Sequence, residues 1–228
     1  MAKPDLIIFD CDGVLVDSEL LANQVMADYL SEQGLPCTRQ QATARFVGLS
    51  LVSIRNRVRD ENGVTLPENF EKEIIRRDRL VFETNLKALP GISAVLETLA
   101  TPKCVASSGA HQKIRTSLTQ TGLLEYFEGH IFSAADVENG KPAPDLFLHA
   151  ARNMNTRPEN CLVIEDSLAG VQAGVAAGMQ VFGFLGGGHI ADGHGDRLLN
   201  AGADQIFKQM DDLGKLIPLQ GAGLVLSL

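Results

Sequence analysis

Short unbroken apolar runs punctuate the chain, and each stops on a polar residue or a glycine. Leu6-Ile7-Ile8-Phe9 runs into Asp10, Lys103-Cys104-Val105-Ala106 into Ser107, and His130-Ile131-Phe132 into Ser133. Cys161-Leu162-Val163-Ile164 runs into Glu165-Asp166, and Val181-Phe182-Gly183-Phe184 into a glycine run. A continuous apolar stretch of this length suits a strand covered on both faces, as in a parallel sheet, rather than the alternation of a half-exposed strand. Helix-like patterns fill the gaps at 91–100, 111–121, 144–154, 167–177 and 192–201. Strands alternating with helices predict βαβ units and an α/β fold with a doubly wound, Rossmann-like parallel sheet.

Residues 17–88 break this rhythm. They hold no clear buried strand and read as helices at 19–34, near 39–47, at 51–62 and at 67–86. Phe70, Ile74 and Val81 fall at helical spacing with charges between them. Turns are marked by Gly34-Leu35-Pro36 and by Gly63-Val64-Thr65-Leu66-Pro67. The expected organisation is a core of residues 1–16 and 89–228 and a small inserted helical cap of residues 17–88. Its hinges fall near 14–17 and 87–91. The apolar, glycine-containing stretch 217–228 either packs as an extra segment or mediates association, and a monomer or a homodimer is expected.

Composition narrows the function classes. The 228 residues carry a formal net charge of -8, which gives no reason to expect a nucleic-acid or membrane partner. No apolar run approaches the ~20 residues of a membrane span, and no long apolar segment precedes Asp10. The four cysteines, Cys11, Cys37, Cys104 and Cys161, lack CxxC spacing, and buried reduced thiols in a cytoplasmic setting are expected. An acidic protein that binds phosphate needs a local positive device such as a metal, a lysine or a helix N-terminus.

The strand ends supply such devices. Asp10 with Asp12, Ser107, Lys141, and Glu165 with Asp166 all sit at or near the carboxyl ends of strands, where open parallel sheets bind ligands. Each has an ordinary reading alone: a helix cap, an Asp-Gly turn, a solvated loop lysine. Together they support phosphoryl transfer. Close carboxylates repel, so one keeps its proton or a cation is recruited, and oxygen-only ligands suit Mg2+. Lys141, in Gly140-Lys141-Pro142, can neutralise a phosphate oxygen; Ser107-Ser108-Gly109 before a helix offers a hydroxyl and free amides. Asp10 would then attack phosphorus, while Asp12 protonates the leaving oxygen and later activates water.

These segments resemble the four motifs of the haloacid dehalogenase-like hydrolase superfamily. Asp10-Cys11-Asp12-Gly13-Val14-Leu15-Val16-Asp17-Ser18 is similar to the first, Val105-Ala106-Ser107-Ser108-Gly109 to the second and Gly140-Lys141-Pro142 to the third. The stretch from Ile164-Glu165-Asp166-Ser167 to Gly174 is similar to the fourth. A helical cap between the first two motifs resembles the subgroup of β-phosphoglucomutase and many small phosphatases. The resemblance implies Asp10 as nucleophile and metal ligand, and Asp12 as acid/base with its backbone carbonyl on Mg2+. It implies phosphate binding by Ser107, Ser108, Gly109 and Lys141, and Asp166 as a metal ligand. Glu165 would be a direct ligand or a holder of water. Arg45-Phe46-Val47-Gly48-Leu49-Ser50 resembles the cap loop that dips toward substrate, which makes Arg45 and Gly48 candidate substrate contacts.

Departures from the pattern refine the activity. Asp12 is absent from dehalogenases of the superfamily, so dehalogenation is not expected. The mutases carry a histidine where this chain has Ala22 and an arginine where it has Leu51, which favours hydrolysis of a small phosphorylated metabolite over mutase activity. Cys104-Val105, Asn160-Cys161 and Ala177-Gly178-Met179 resemble sugar-acid phosphatases of the 6-phosphogluconate type. The alternatives are a phosphosugar mutase and, in another class, a non-catalytic metabolite-binding or regulatory protein. A signalling receiver domain also pairs acids with a lysine, but receivers lack a cap and place their aspartate after a later strand. The segment from Gly186 to Asp196 holds two histidines and two aspartates; a border to the pocket or a dimer contact is expected there rather than a second metal.

Overall fold

Each apolar run forms a strand because helices cover both of its faces. The computed structural model describes residues 3–47 and 49–217. Its strands are β1 (Leu6–Phe9), β2 (Lys103–Ser107), β3 (Ile131–Ser133), β4 (Cys161–Glu165), β5 (Gln180–Phe184) and β6 (Gln205–Phe207). They form one parallel sheet in the order β3-β2-β1-β4-β5-β6. β6 was not expected from the sequence, since its three edge residues are too short and too exposed to leave an apolar run.

The chain winds outward from β1 to β3, then returns to lay β4 against the other side of β1. That reversal is the switch point of the sheet, where a crevice opens beyond the carboxyl ends. Register places the functional groups there. Phe9 pairs with Ile164 on one side and with Val105 on the other, so the next residue, Asp10, stands beside Glu165 and Ala106. The Asp10 amide extends the ladder by donating to the Ile164 carbonyl at 3.0 Å.

Between β1 and β2 lie α1 (Ser18–Glu32), α2 (Arg39–Phe46), α3 (Leu51–Asn62) and α4 (Phe70–Asn85). Val25, Met26, Tyr29, Leu30, Phe46, Ile54, Val58, Phe70 and Ile74 form their own apolar cluster. The two connections to the sheet run side by side. The Asp17 amide donates to the Lys87 carbonyl at 3.0 Å, Leu89 to Leu15 at 2.9 Å, and Val16 and Ala88 form an antiparallel bridge.

The remaining helices are α5 (Ile92–Thr98), α6 (His111–Gln120), α7 (Asp145–Asn153), α8 (Leu168–Ala176), α9 (His194–Asn200) and α10 (Leu213–Leu216). Successive strand residues face opposite ways. Ile7 and Phe9 join the cluster containing Ile92, Ile114 and Leu213, whereas Leu6 and Ile8 join the one containing Phe147, Val171 and Leu198. All four cysteines are free thiols, three of them buried and Cys37 half-buried in the cap. No described helix is long and apolar enough to cross a membrane.

Ile8 is fully buried in the central strand, and Val52 is 59% exposed on α3. Ile8→Ala is therefore expected to cost about 2–5 kcal/mol in urea denaturation, and Val52→Ala less than about 0.5 kcal/mol.

Candidate active site

One ammonium gathers the strand ends. The loop between β3 and α7 carries Lys141, whose stem passes into the crevice with Nζ 4.8 Å from the Phe147 ring centroid. Nζ donates to Asp10 Oδ1 at 2.6 Å, to Glu165 Oε1 at 2.8 Å and to the Ala106 carbonyl at 3.0 Å. An ammonium has three donors, and all three are engaged.

Glu165 is held just as fully. Its Oε2 accepts from the Asp166 amide at 2.9 Å, the Ser167 amide at 2.8 Å and the Ser167 hydroxyl at 2.9 Å. The first turn of α8 lies directly against it, and a Cβ on Gly170 would come within 1.7 Å of Glu165 Oε1. Glu165, read from the sequence as a direct metal ligand or a holder of water, thus spends both oxygens on Lys141 and on the turn into α8. It positions the lysine.

Asp12 points its carboxylate between two donors: Ser18 Oγ at 2.6 Å and Lys113 Nζ at 2.7 Å. The Asp12-Gly13 turn packs over Asp166. Gly13 adopts a left-handed φ of 85°, and a Cβ there would lie 1.9 Å from Asp166 Oδ2. Asp166 is secured by the segment after β5. His189 Nε2 is 3.0 Å from Asp166 Oδ2, and His194 Nε2 is 2.6 Å from the Asp166 carbonyl oxygen. The glycine- and histidine-rich segment therefore borders the pocket.

Ser107 is buried and accepts a hydrogen bond from the Gly109 amide at 3.2 Å. Its own hydroxyl proton has no acceptor among the described residues. Ser108 is exposed beside it, and α6 follows with no side-chain cap on its N-terminus, which leaves amides free for an anion. Arg45 does not reach this cluster. Its guanidinium stays inside the cap, 2.7 Å from Glu61 Oε2, 3.3 Å from Asn62 Oδ1 and 4.9 Å from the Phe46 ring. Gly48 lies outside the described residues.

Lys113 was not singled out from the sequence; Ser18 was read only as part of the first motif and His189 only as part of the segment expected to border the pocket. Lys113 does leave a signal: a lysine in the first turn of a helix opposes the helix dipole, so it invites a search for a compensating carboxylate.

The electrostatics are dominated by an excess of carboxylate. Burial pushes Asp10 well above the ordinary carboxylate range; Lys141 pulls it back, while Glu165 and Asp166 push it up again. Burial likewise lifts Asp166 to about 6 against the hydrogen bond from His189, with Glu165 adding to the rise. Burial would lower Lys141 and Lys113, but their carboxylate partners outweigh it and hold both ammonium groups above their ordinary values. For Asp12 burial works upward, yet Lys113 and Ser18 prevail and keep it below the usual range. Asp78, on α4 of the cap, is raised to about 7 by burial, a rise that Lys113 opposes and the charges of Glu19 and Asp12 reinforce.

The donor set fits a hard dication. Carboxylate oxygens such as those of Asp10 and Asp166 are the kind such an ion prefers, and their raised pKa marks negative charge that a cation would relieve. Among the described residues no three His, Cys, Asp or Glu side chains already converge as a metal cluster. Lys141 and His189 hold the Asp10 and Asp166 carboxylates instead.

Residues 7–184 match the family described as haloacid dehalogenase-like hydrolase. The chain is 36% identical over 190 residues to the 6-phosphogluconate phosphatase of Escherichia coli (strain K12), covering 83% of this chain and 86% of that protein. It is 30% identical over 221 residues to the phosphorylated carbohydrates phosphatase of Thermotoga maritima, covering 93% and 98%. A solved haloacid dehalogenase-like protein of unknown function from Agrobacterium tumefaciens superposes with a TM-score of 0.88 at 39% identity, covering 93% and 97%.

Two substitutions probe this arrangement. Gly170→Ala must displace Glu165 and with it Lys141, so a loss of about 1–3 kcal/mol is expected in chemical denaturation. For Asp78 the sign follows from its raised pKa. A carboxyl that binds its proton more tightly when folded stabilises the fold at low pH, and that contribution is lost as pH rises to about 7. Asp78→Asn is therefore expected to raise the melting temperature at pH 8 by at least about 3 °C and to change it little at pH 4, as read by calorimetry.

Proposed function

We propose that this chain, which belongs to the haloacid dehalogenase-like hydrolase family and is a phosphoric monoester hydrolase, removes phosphate from a small phosphorylated sugar or sugar acid through a covalent intermediate on Asp10. The observation that carries the reading is the Lys141 ammonium bridging Asp10 and Glu165, beside Asp12 and the free amides of α6.

Lys141 holds Asp10 Oδ1, which leaves Oδ2 as the attacking oxygen. The new bond joins Oδ2 to phosphorus as the ester bond breaks, and Asp12 delivers a proton to the departing alkoxide. In the second step Asp12 takes a proton from water, which attacks the aspartyl phosphate and frees Asp10. Lys113 and Ser18 hold Asp12 ionised, the form suited to this second step. For the first step it must gain a proton. Lys141 trades its bond to the Ala106 carbonyl for a phosphate oxygen, and Ser107 with the amides of Ser108 and of Gly109, the latter released from Ser107 Oγ, binds the others. Asp10, the Asp12 carbonyl and Asp166 would hold Mg2+, which when bound neutralises charge on the phosphoryl oxygens.

Sugar-type substrates are supported by the relatives named for 6-phosphogluconate and for phosphorylated carbohydrates. Ala22 and Leu51, in place of the histidine and arginine of the mutases, favour hydrolysis over isomerisation. Four free cysteines suit a cytoplasmic protein.

The test is phosphate release across a panel of sugar phosphates, phosphorylated sugar acids and nucleotides with Mg2+. Release from one class is expected, lowered by at least about 10³-fold in Asp10→Asn and abolished by chelation until Mg2+ is restored. Equal turnover by Asp10→Asn would remove the nucleophile. Undiminished activity in chelator would remove the metal, and conversion of a sugar 1-phosphate to its 6-phosphate without release would make the enzyme a mutase.

A further inference from the structure

The inner face of α4 carries Phe70, Ile74, Asp78 and Phe82 at four-residue spacing. Phe70 and Ile74 are buried in the cap's own cluster, and Phe82 in the cluster of the sheet domain below. Asp78 stands where this stripe calls for an apolar side chain. The C-terminal end of the stripe lies against the site: Phe82, one turn on from Asp78, has its ring 5.7 Å from Lys113 Nζ, and Lys113 is bonded to Asp12.

Asp78 Oδ1 is buried and has no hydrogen-bond partner among the described residues. Lys113, the cation whose charge reaches it, is committed to Asp12. Its other charged neighbours, Glu19 and Asp12, are acceptors too. An unpaired buried acceptor costs stability, and a leucine or methionine would pack this stripe without that cost. Among the described residues no donor is left free for Asp78 Oδ1.

We propose that Asp78 is a specificity-determining residue, which accepts a hydrogen bond from a hydroxyl of the substrate's carbon chain near the phosphoester. It thereby selects polyhydroxylated monoesters over hydroxyl-free ones and disfavours a second anionic group at that position. The inference rests on the phosphatase reading of Asp10 and names the part of the substrate that the cap reads. A site built to pair a hydroxyl discriminates strongly against analogues that lack it, because its own polar group is then left unpaired.

The experiment compares wild type, Asp78→Ala and Asp78→Asn on p-nitrophenyl phosphate and on the polyol phosphate that wild type turns over fastest. Asp78→Ala is expected to lower kcat/KM for the polyol phosphate by about 10–100-fold, while p-nitrophenyl phosphate stays within about two-fold. Asp78→Asn, whose carbonyl still accepts, should fall between, and neither variant should melt below wild type. Equal losses on both substrates, no loss on either, or a lowered melting temperature in both variants would overturn the assignment. Failure of wild type to hydrolyse either compound would instead overturn the phosphatase reading, and the assignment with it.

Discussion

Lys141 sets the geometry of everything around it. A buried ammonium is tolerated only when its charge and its protons are matched, and here two carboxylates and a carbonyl from three adjacent strands do so. Those acceptors are neighbours because parallel register puts the residues after Phe9, Val105 and Ile164 side by side. The lysine in turn fixes the loop before α7 over the crevice. Glu165 is the rigid post: anchored by Ser167 and the turn into α8, it leaves Lys141 one place to go. Without the ammonium, Asp10 and Glu165 would face each other as buried like charges.

Much of this was legible in the chain. The strands stood out because a sheet covered on both faces leaves unbroken apolar runs; the motif acids stood out because each follows such a run closely, and Lys141 because Gly140 and Pro142 flank it. What escaped did so for physical reasons. β6 is a three-residue edge strand, too short to impose a pattern. The partners of Lys113, Ser18 and His189 escaped too, because these side chains meet Asp12 and Asp166 through the placement of a helix, a hinge and a loop, which linear spacing does not encode. Arg45 shows the opposite case: its place in the cap suggested a substrate contact, and the structure turns its guanidinium to Glu61, sixteen residues further along. Glu165 could be placed at the site from its motif, while its commitment to Lys141 required the coordinates.

The pocket is assembled against stability. Asp10, Asp166, Glu19 and Asp78 all have carboxyl groups raised by burial, so the folded chain carries charge it would be more stable without. Such strain is expected where chemistry, rather than packing, chose the residues. The cap shares in it: α4 contributes Phe82 to the sheet domain's apolar cluster and a carboxylate to the cleft from the same face.

The paired connections around Val16 and Ala88 have a mechanical meaning. Two links that hydrogen-bond to each other form a ribbon, and a ribbon bends across its plane far more readily than it shears within it. Any tilt of the insert against the sheet would thereby be confined to one axis. The ribbon also brings both ends of the insert together. To the sheet, the whole helical insert is equivalent to a hairpin turn after β1. Closing such a loop costs entropy that grows only slowly with its length. Caps of very different size can therefore be exchanged at this point without disturbing the register that holds Asp10 beside Glu165.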